Sequence, residues 1–346
     1  MSDSHSTATV PEKHQFVEQY FSARELNKRY KFDSSDAGLE RFWEWVTSGP
    51  NVEVPGPDLL RDATKYFRGQ TRSWYGFTSS LYRVCKLALG DRQVDEIHLA
   101  KAEFAVIEAL RKEGMGRRMT DGELLMIAQH HLVPTRLIDV SIMPLEALFF
   151  AVEQEDGTDG RFFIVAPHQK GSGLPHAEEP LRLSGRASGA GGADTRRLPW
   201  ADAVRGTRQA HDGWSVDVRL VDEEPLDSRM RAQAGKFLVG GVHRSYRGLN
   251  MPNVTSVERP DISCLAINFA PSTGRIQISK SWPATGWSVR VHASWKPALR
   301  ERLAGLSQSR GIENIEHDSM YPPIGQIERL GKHVARQSAE KFPGNP

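Results

Sequence analysis

Between residues 129 and 141 the chain reads Gln129-His130-His131-Leu132-Val133-Pro134-Thr135-Arg136-Leu137-Ile138-Asp139-Val140-Ser141, and this segment restricts the fold more than any other. Gln129, His130, His131, Thr135, Arg136 and Asp139 carry strong hydrogen-bonding groups, yet they are interleaved with Leu, Val and Ile. Apolar residues at that density go inside and take some of these polar groups with them. A buried polar group without a partner is costly, so an internal hydrogen-bond network or a ligand must hold them. Pro134 closes the helix expected over Asp121 to His131, and Leu137 to Ser141 reads as a buried strand. Arg136 with Asp139 reads either as an ion pair locking the turn or as a pair of ligand contacts.

Metal and nucleophile chemistry fit this segment poorly. His130 and His131 are adjacent and cannot easily share one metal, and no cysteine or third histidine lies at the usual intervals, so no metal site is expected. Neither Cys85 nor Cys264 has a local histidine partner, and neither G-x-S-x-G nor a P-loop occurs.

A second unusual segment is Tyr66-Phe67-Arg68-Gly69-Gln70. It reads as a strand stopped at a site: Arg68 offers a planar, permanently charged donor fork, and Gly69 lets backbone approach a ligand closely. Such a fork suits phosphate or carboxylate, or it stacks on Tyr66 and pairs with a structural carboxylate. Thr78-Ser79-Ser80 follows as a helix cap or a set of hydroxyl contacts.

Around these segments the pattern alternates helices and strands. Apolar residues at helical intervals predict short amphipathic helices over Phe16 to Glu25 and Gly38 to Ser48, and a longer one over Arg92 to Lys112. Pro50, Pro55, Gly56 and Pro57 mark the entry to a new module. Asp121 is expected to cap the next helix. Pro144 to Val152 reads as a helix opening on proline, Arg161 to Ala166 as a strand, and short strands return at 236–239, 264–267 and 275–278 before a late helix over Lys296 to Leu306. The organisation expected is a polar leader with short helices over 1–58, an α+β domain over 59–335 with a flexible Gly/Ser/Arg-rich insertion at about 171–213, and a tail over 336–346.

Composition narrows the classes. With 39% hydrophobic and 25% charged residues, the chain has ordinary globular usage. Lys and Arg outnumber Asp and Glu by only 45 to 43, so charge alone calls for no polyanion partner. Two cysteines cannot make a disulfide framework and point to a reducing, cytoplasmic setting. No apolar run approaches the roughly 18 residues of a membrane span, so no membrane association is expected.

At its two unusual segments the chain resembles the FRG domain family, named for its Phe-Arg-Gly motif. The likeness runs through Phe67-Arg68-Gly69-Gln70, through Gln129-His130 and Leu132 to Asp139, and through Pro144, Ala147 and Phe149-Phe150-Ala151. Arg231-Ala232-Gln233-Ala234-Gly235-Lys236-Phe237 resembles the family's closing strand. The chain departs at Leu132, where the family carries glycine, directly or shifted by one, and at Val140, where an aromatic residue is usual. The resemblance implies an α+β fold with a split mixed or antiparallel sheet, flanking helices and a small helical N-terminal segment.

That arrangement is similar in turn to ADP-ribosyltransferases. By this analogy Arg68 holds the diphosphate or ribose of NAD, Ser141 lies on the nicotinamide-side strand, and Gln233 stands where a catalytic glutamate is expected. Tyr66, Phe67, Arg68, Gly69, Gln70, Gln129, His130, Thr135, Arg136 and Asp139 form the cofactor-binding set. A glutamine cannot act as a general base, so either Glu146 or Asp139 serves or the module binds without turnover. The function implied is an NAD-binding, ADP-ribosyltransferase-like effector of the toxin or phage-defence kind, acting on a protein or nucleic-acid target. The alternative is a non-catalytic nucleotide or nucleic-acid binding module using Arg68, Arg136 and Arg182, Arg186, Arg196, Arg197, Arg205 and Arg208.

Overall fold

The computed structural model describes residues 10–52, 64–116, 119–167, 181–183, 198, 200–201, 217–222, 235–242, 261–269, 282–310 and 325–341. Its centre is strand β3 (Gly160–Pro167), whose run of Phe, Ile, Val and Ala is buried on both faces because helices cover both. Strand β1 (Tyr66–Gln70) pairs antiparallel with one edge of β3, and β8 (Ala284–Val291) with the other. Beyond β1 come β2 (Ile138–Ser141), β6 (Gly235–Val239), β5 (Arg219–Asp222) and the two-residue β4 (Leu181–Arg182), while β7 (Ile267–Phe269) lies outside β8. The β4–β5 and β7–β8 pairs are parallel and the others antiparallel, giving one mixed eight-stranded sheet in an α+β fold.

The sheet separates two apolar cores. On one face α4 (Ser80–Leu89), α5 (Glu96–Lys112), α6 (Asp121–His130) and α9 (Gly325–Lys341) pack with Tyr66, Phe163 and Val165. On the other face α7 (Pro144–Val152) and α8 (Lys296–Arg310) cover Phe67, Phe162 and Ile164. The N-terminal helices belong to both: α1 (Glu12–Ser22) puts Val17 and Phe21 in the first core, and α3 (Asp36–Thr47), after the single turn α2 (Asn27–Tyr30), puts Leu39 and Phe42 in the second. Ions hold this wrap-around. The fully buried Arg161 reaches Glu18 and Glu25 from β3, and Arg290 of β8 pairs with the same two carboxylates and with Asp159.

Several local expectations are corrected. Thr120, not Asp121, caps α6: its Oγ1 accepts from the Glu123 N–H at 3.1 Å, and the Glu123 carboxylate accepts from the Thr120 N–H at 2.7 Å. Asp121 instead pairs with Arg111 at 2.6 Å. The strand expected at 264–267 begins at Ile267, and the one at 275–278 lies outside the described residues. Within the expected insertion, Leu181 and Leu183 join the first core and Trp200 is buried in it, donating to Glu103 Oε2 at 2.9 Å. The expected tail is helical as far as Lys341. Cys85 and Cys264 are buried free thiols, burial pushing the Cys85 pKa up to about 12. Among the described residues no helix is long and apolar enough to cross a membrane.

The 129–141 segment resolves its polar groups mainly inward. Arg136 is fully buried and pairs not with Asp139 but with Glu96 at 2.8 Å and Glu103 at 2.9 Å, both from α5. Burial opposes the guanidinium charge, but Glu103 and Glu96 outweigh it and hold the pKa above its ordinary range. Burial also pushes Glu103 up, against the pull of Arg136. The second Glu96 oxygen accepts from the Val242 N–H at 2.8 Å. Removing one partner of such a cluster strands a buried charge, so Arg136→Met should lower the unfolding free energy by about 3–5 kcal/mol in chemical denaturation.

Helix α6 ends in a Schellman motif. The Val133 N–H donates to the Ala128 carbonyl at 2.9 Å and the Leu132 N–H to that of Gln129 at 3.0 Å, which puts Leu132 at φ 59° with its side chain exposed. A side chain is strained there, which accounts for the glycine expected at this position from the family resemblance. Leu132→Gly should therefore raise stability by up to about 1 kcal/mol, read as a higher denaturation midpoint; a loss of stability would show that the Leu132 contacts outweigh the strain.

Candidate functional site

A cleft of about 1320 Å³ opens between β1, β2, β6 and the ends of α4, α6 and α7, with α1 contributing a wall through His14 and Phe16. Its floor is set by Gly69. Helix α7 lies so close on β1 that a Cβ at residue 69 would collide with the carbonyl oxygen of Ala147, so glycine here serves helix-on-strand packing. The consequence is that the first turn of α7, carrying Glu146, is brought beside the strand that carries Arg68.

Arg68 is anchored through its Nη1, which donates to the Asp139 carbonyl at 2.6 Å and lies 3.6 Å from the Asp139 carboxylate. Its Nε is buried without a hydrogen-bond partner. Two residues along the same strand face, Gln70 donates from Nε2 to the Gly76 carbonyl at 3.1 Å while its buried Oε1 has no partner. Buried donors and acceptors are almost always paired, so an orphan donor and an orphan acceptor on two cleft-lining residues set this stretch of β1 apart. Asp139 is fixed in turn by Gln129 Nε2 at 2.5 Å, and Gln129 Oε1 accepts from Thr135 Oγ1 at 2.6 Å.

Beyond Arg68 the cleft holds Arg83, on α4. This helix is shaped by Leu81, Tyr82, Cys85 and Leu89 on its buried face and by Ser79, whose hydroxyl accepts from the Tyr82 N–H at 3.2 Å. Arg83 projects from the opposite face and donates to the Thr78 carbonyl at 2.7 Å. It is accessible to water in the cleft, yet surrounding protein desolvates it. That desolvation, followed by repulsion from Arg68, lowers its pKa to about 10, so the charge persists at neutral pH.

Facing these cations is a carboxyl of opposite bias. Ser141, at the end of β2, donates from Oγ to Glu146 Oε2 at 2.5 Å and accepts from the Met143 N–H at 2.8 Å. Burial raises the Glu146 pKa to about 7, only partly offset by the serine hydrogen bond. A carboxyl poised there exchanges protons near neutrality, the property a general acid or base needs.

Of the residues singled out from sequence, the cleft collects Phe67, Arg68, Gly69, Gln70, Gln129, His130, Asp139 and Ser141. Tyr66 is in the first core, Thr135 is buried behind Gln129, and Arg136 is held by the α5 glutamates, so these three stand outside the lining. Gln233, Arg186, Arg196, Arg197, Arg205 and Arg208 lie outside the described residues. Arg83 was missed because helix α4 was not drawn from sequence. Its signal was available in the 81, 82, 85, 89 spacing of apolar residues, which leaves Arg83 on the polar face.

Among the described residues no group of three or more His, Cys, Asp or Glu is arranged to hold a metal ion. No curated protein and no solved structure matches the chain. The FRG domain family's model matches residues 63–160, a span that includes β1, α4, α6, β2 and α7 and with them Arg68, Arg83, Asp139, Ser141 and Glu146. The chain carries an FRG domain, and the walls that hold these five side chains lie inside it.

Proposed function

We propose that the cleft binds NAD and that the protein transfers its ADP-ribosyl group to a protein or nucleic-acid target, as an effector of the toxin or phage-defence kind. The observation that carries this reading is the pairing of two cations, Arg68 and Arg83, with a protonatable carboxyl, Glu146, in one cleft. The residues fit the ligand. Arg68 and Gln70 both line the cleft, and the Arg68 guanidinium offers fixed positive charge to a phosphate group. The cleft, at about 1320 Å³, exceeds the roughly 300–1,000 Å³ usual for small-molecule pockets and so admits a dinucleotide.

NAD supplies a ribose carbon whose bond to the cationic nicotinamide breaks with the electron pair going to the ring nitrogen, so nicotinamide leaves neutral. The chain's part is to bind, orient and move a proton. Arg68 and Arg83 hold negative charge at fixed points, and the serine hydrogen bond from Ser141 fixes the rotamer of Glu146. The ionised Glu146 accepts the proton that the target's attacking hydroxyl or amine loses as its bond to the ribose forms. Glu146 thus takes the part that the analogy assigned to the position of Gln233, where a glutamine cannot serve.

The rival reading, a module that binds nucleotide or nucleic acid without turnover, draws on the basic groups Lys86 and Lys236, which line the cleft beside the two arginines. Incubation of the purified protein with labelled NAD separates the two. Label transfer to protein or nucleic acid supports the transferase; NAD-dependent stabilisation in thermal shift with no transfer selects the binding module; neither effect overturns the NAD reading.

Glu146→Gln should lower transfer by on the order of 100-fold or more while leaving NAD affinity within about twofold. The wild-type rate should rise with pH through about 7, because the carboxylate is the active base and burial places its pKa there, whereas the variant's residual rate should be flat. Arg68→Lys keeps the charge and loses the planar fork, so NAD should bind about tenfold or more weakly with little change in melting temperature. A variant that binds NAD as the wild type does removes Arg68 from the site.

A further inference from the structure

Arg83 and Arg92 differ from the other arginines of the FRG domain in being held by backbone carbonyls with no carboxylate in ion-pair reach among the described residues, and of the two only Arg83 lines the cleft. Arg72, Arg111 and Arg136 are each paired with at least one carboxylate, but among the described residues no carboxylate is within ion-pair distance of Arg83. Its one side-chain hydrogen bond among the described residues goes to the Thr78 carbonyl. Arg68 is held the same way, by a backbone carbonyl, and its Asp139 carboxylate contact is long and on an exposed acid. Both side chains line the same cleft. Two like charges thus line one cleft, with the exposed Asp139 carboxylate neutralising them only in part, and an added anion would relieve what repulsion is left.

The anchors also separate the charges. Arg68 is tied to β2 through Asp139, and Arg83 is tied to the residue preceding the α4 cap through Thr78, so each guanidinium keeps its own position on its own wall. Two fixed forks match two neighbouring phosphate groups better than they match one, because each fork then meets its own set of oxygens.

We propose that Arg83 is a specificity-determining residue of the cleft, that Arg68 and Arg83 each take one phosphate, and that the ligand class is a diphosphate rather than a monophosphate. The assignment rests on the nucleotide reading of the cleft and adds to it the residue that selects the second phosphate. Arg83 is a binding residue here and takes no part in proton transfer.

The test is calorimetric titration of the full chain with ADP, AMP, inorganic pyrophosphate and inorganic phosphate, for the wild type, Arg83→Gln, Arg83→Lys and Arg68→Lys. The wild type should bind ADP roughly tenfold or more tighter than AMP, and pyrophosphate tighter than phosphate by a similar factor, as expected for one added charge-assisted contact. Arg83→Gln should abolish both preferences while still binding AMP, and Arg83→Lys should restore part of them. The exposed position of Arg83 predicts unchanged folding for both variants, checked by melting temperature. If Arg83→Gln alone fails to fold, the Arg83→Lys titration decides, with an undiminished preference counting against the assignment. Retention of the ADP preference in Arg83→Gln overturns the proposal even where Arg68→Lys weakens binding and the nucleotide reading stands. An Arg83-dependent pyrophosphate preference without NAD binding upholds it while the NAD reading falls. Binding of none of the four probes by the wild type overturns both.

Discussion

The buried cluster of Arg136, Glu96 and Glu103 is the interaction on which the rest of this structure depends. Arg136 stands two residues before β2, both glutamates stand on α5, and the same carboxylates accept from the Trp200 indole and the Val242 backbone. One guanidinium thus joins helix α5 of the first core, the entry to β2 and two distant parts of the chain. Charges taken out of water hold such an arrangement only when each oxygen and N–H is used, which makes the geometry specific even where the net stabilisation is small. Once Arg136 is placed, β2 runs antiparallel to β1 with Ser141 opposite Phe67, and Asp139 and Ser141 arrive at the cleft.

The cleft has the opposite electrostatic character. There the polar groups are left partly unused: an orphan donor on Arg68, an orphan acceptor on Gln70, a repelled Arg83 and a carboxyl whose proton affinity is raised by burial. The same segment, 129–141, feeds both places. Its Thr135 and Arg136 are consumed internally, whereas Gln129 and Asp139 orient Arg68. Stability and ligand recognition are thus divided between neighbouring residues of one short stretch.

The N-terminal helices complete this division. Glu18 and Glu25 clamp them to Arg161 and Arg290 of the neighbouring strands β3 and β8, and that clamp holds α1 where His14 and Phe16 wall one side of the cleft. A segment that reads as a preface to the domain is therefore part of the site's enclosure.

Local chemistry was legible in the sequence. Pro144 at the first turn of α7, the apolar run of β3, the helical rhythm of α5 and the aromatic run of β1 report their elements directly, because each depends on residues within a turn or a strand of one another. The Phe67-Arg68-Gly69-Gln70 and 129–141 segments identified where the cleft would form. What they left open was which polar groups face the ligand. Arg136 and Arg68 are alike as residues, and only the arrival of Glu96 and Glu103 from a helix more than 30 positions away decided that the first is structural. Strand β8 was not drawn either, although Trp287, Val289 and Val291 alternate with Gly286, Ser288 and Arg290, and it is completed by the full ladder that β3 offers beside it. Glu146 gained its raised pKa, and Arg83 its lowered one, from surroundings that tertiary packing supplies, and desolvation of that kind is encoded by no local stretch of sequence.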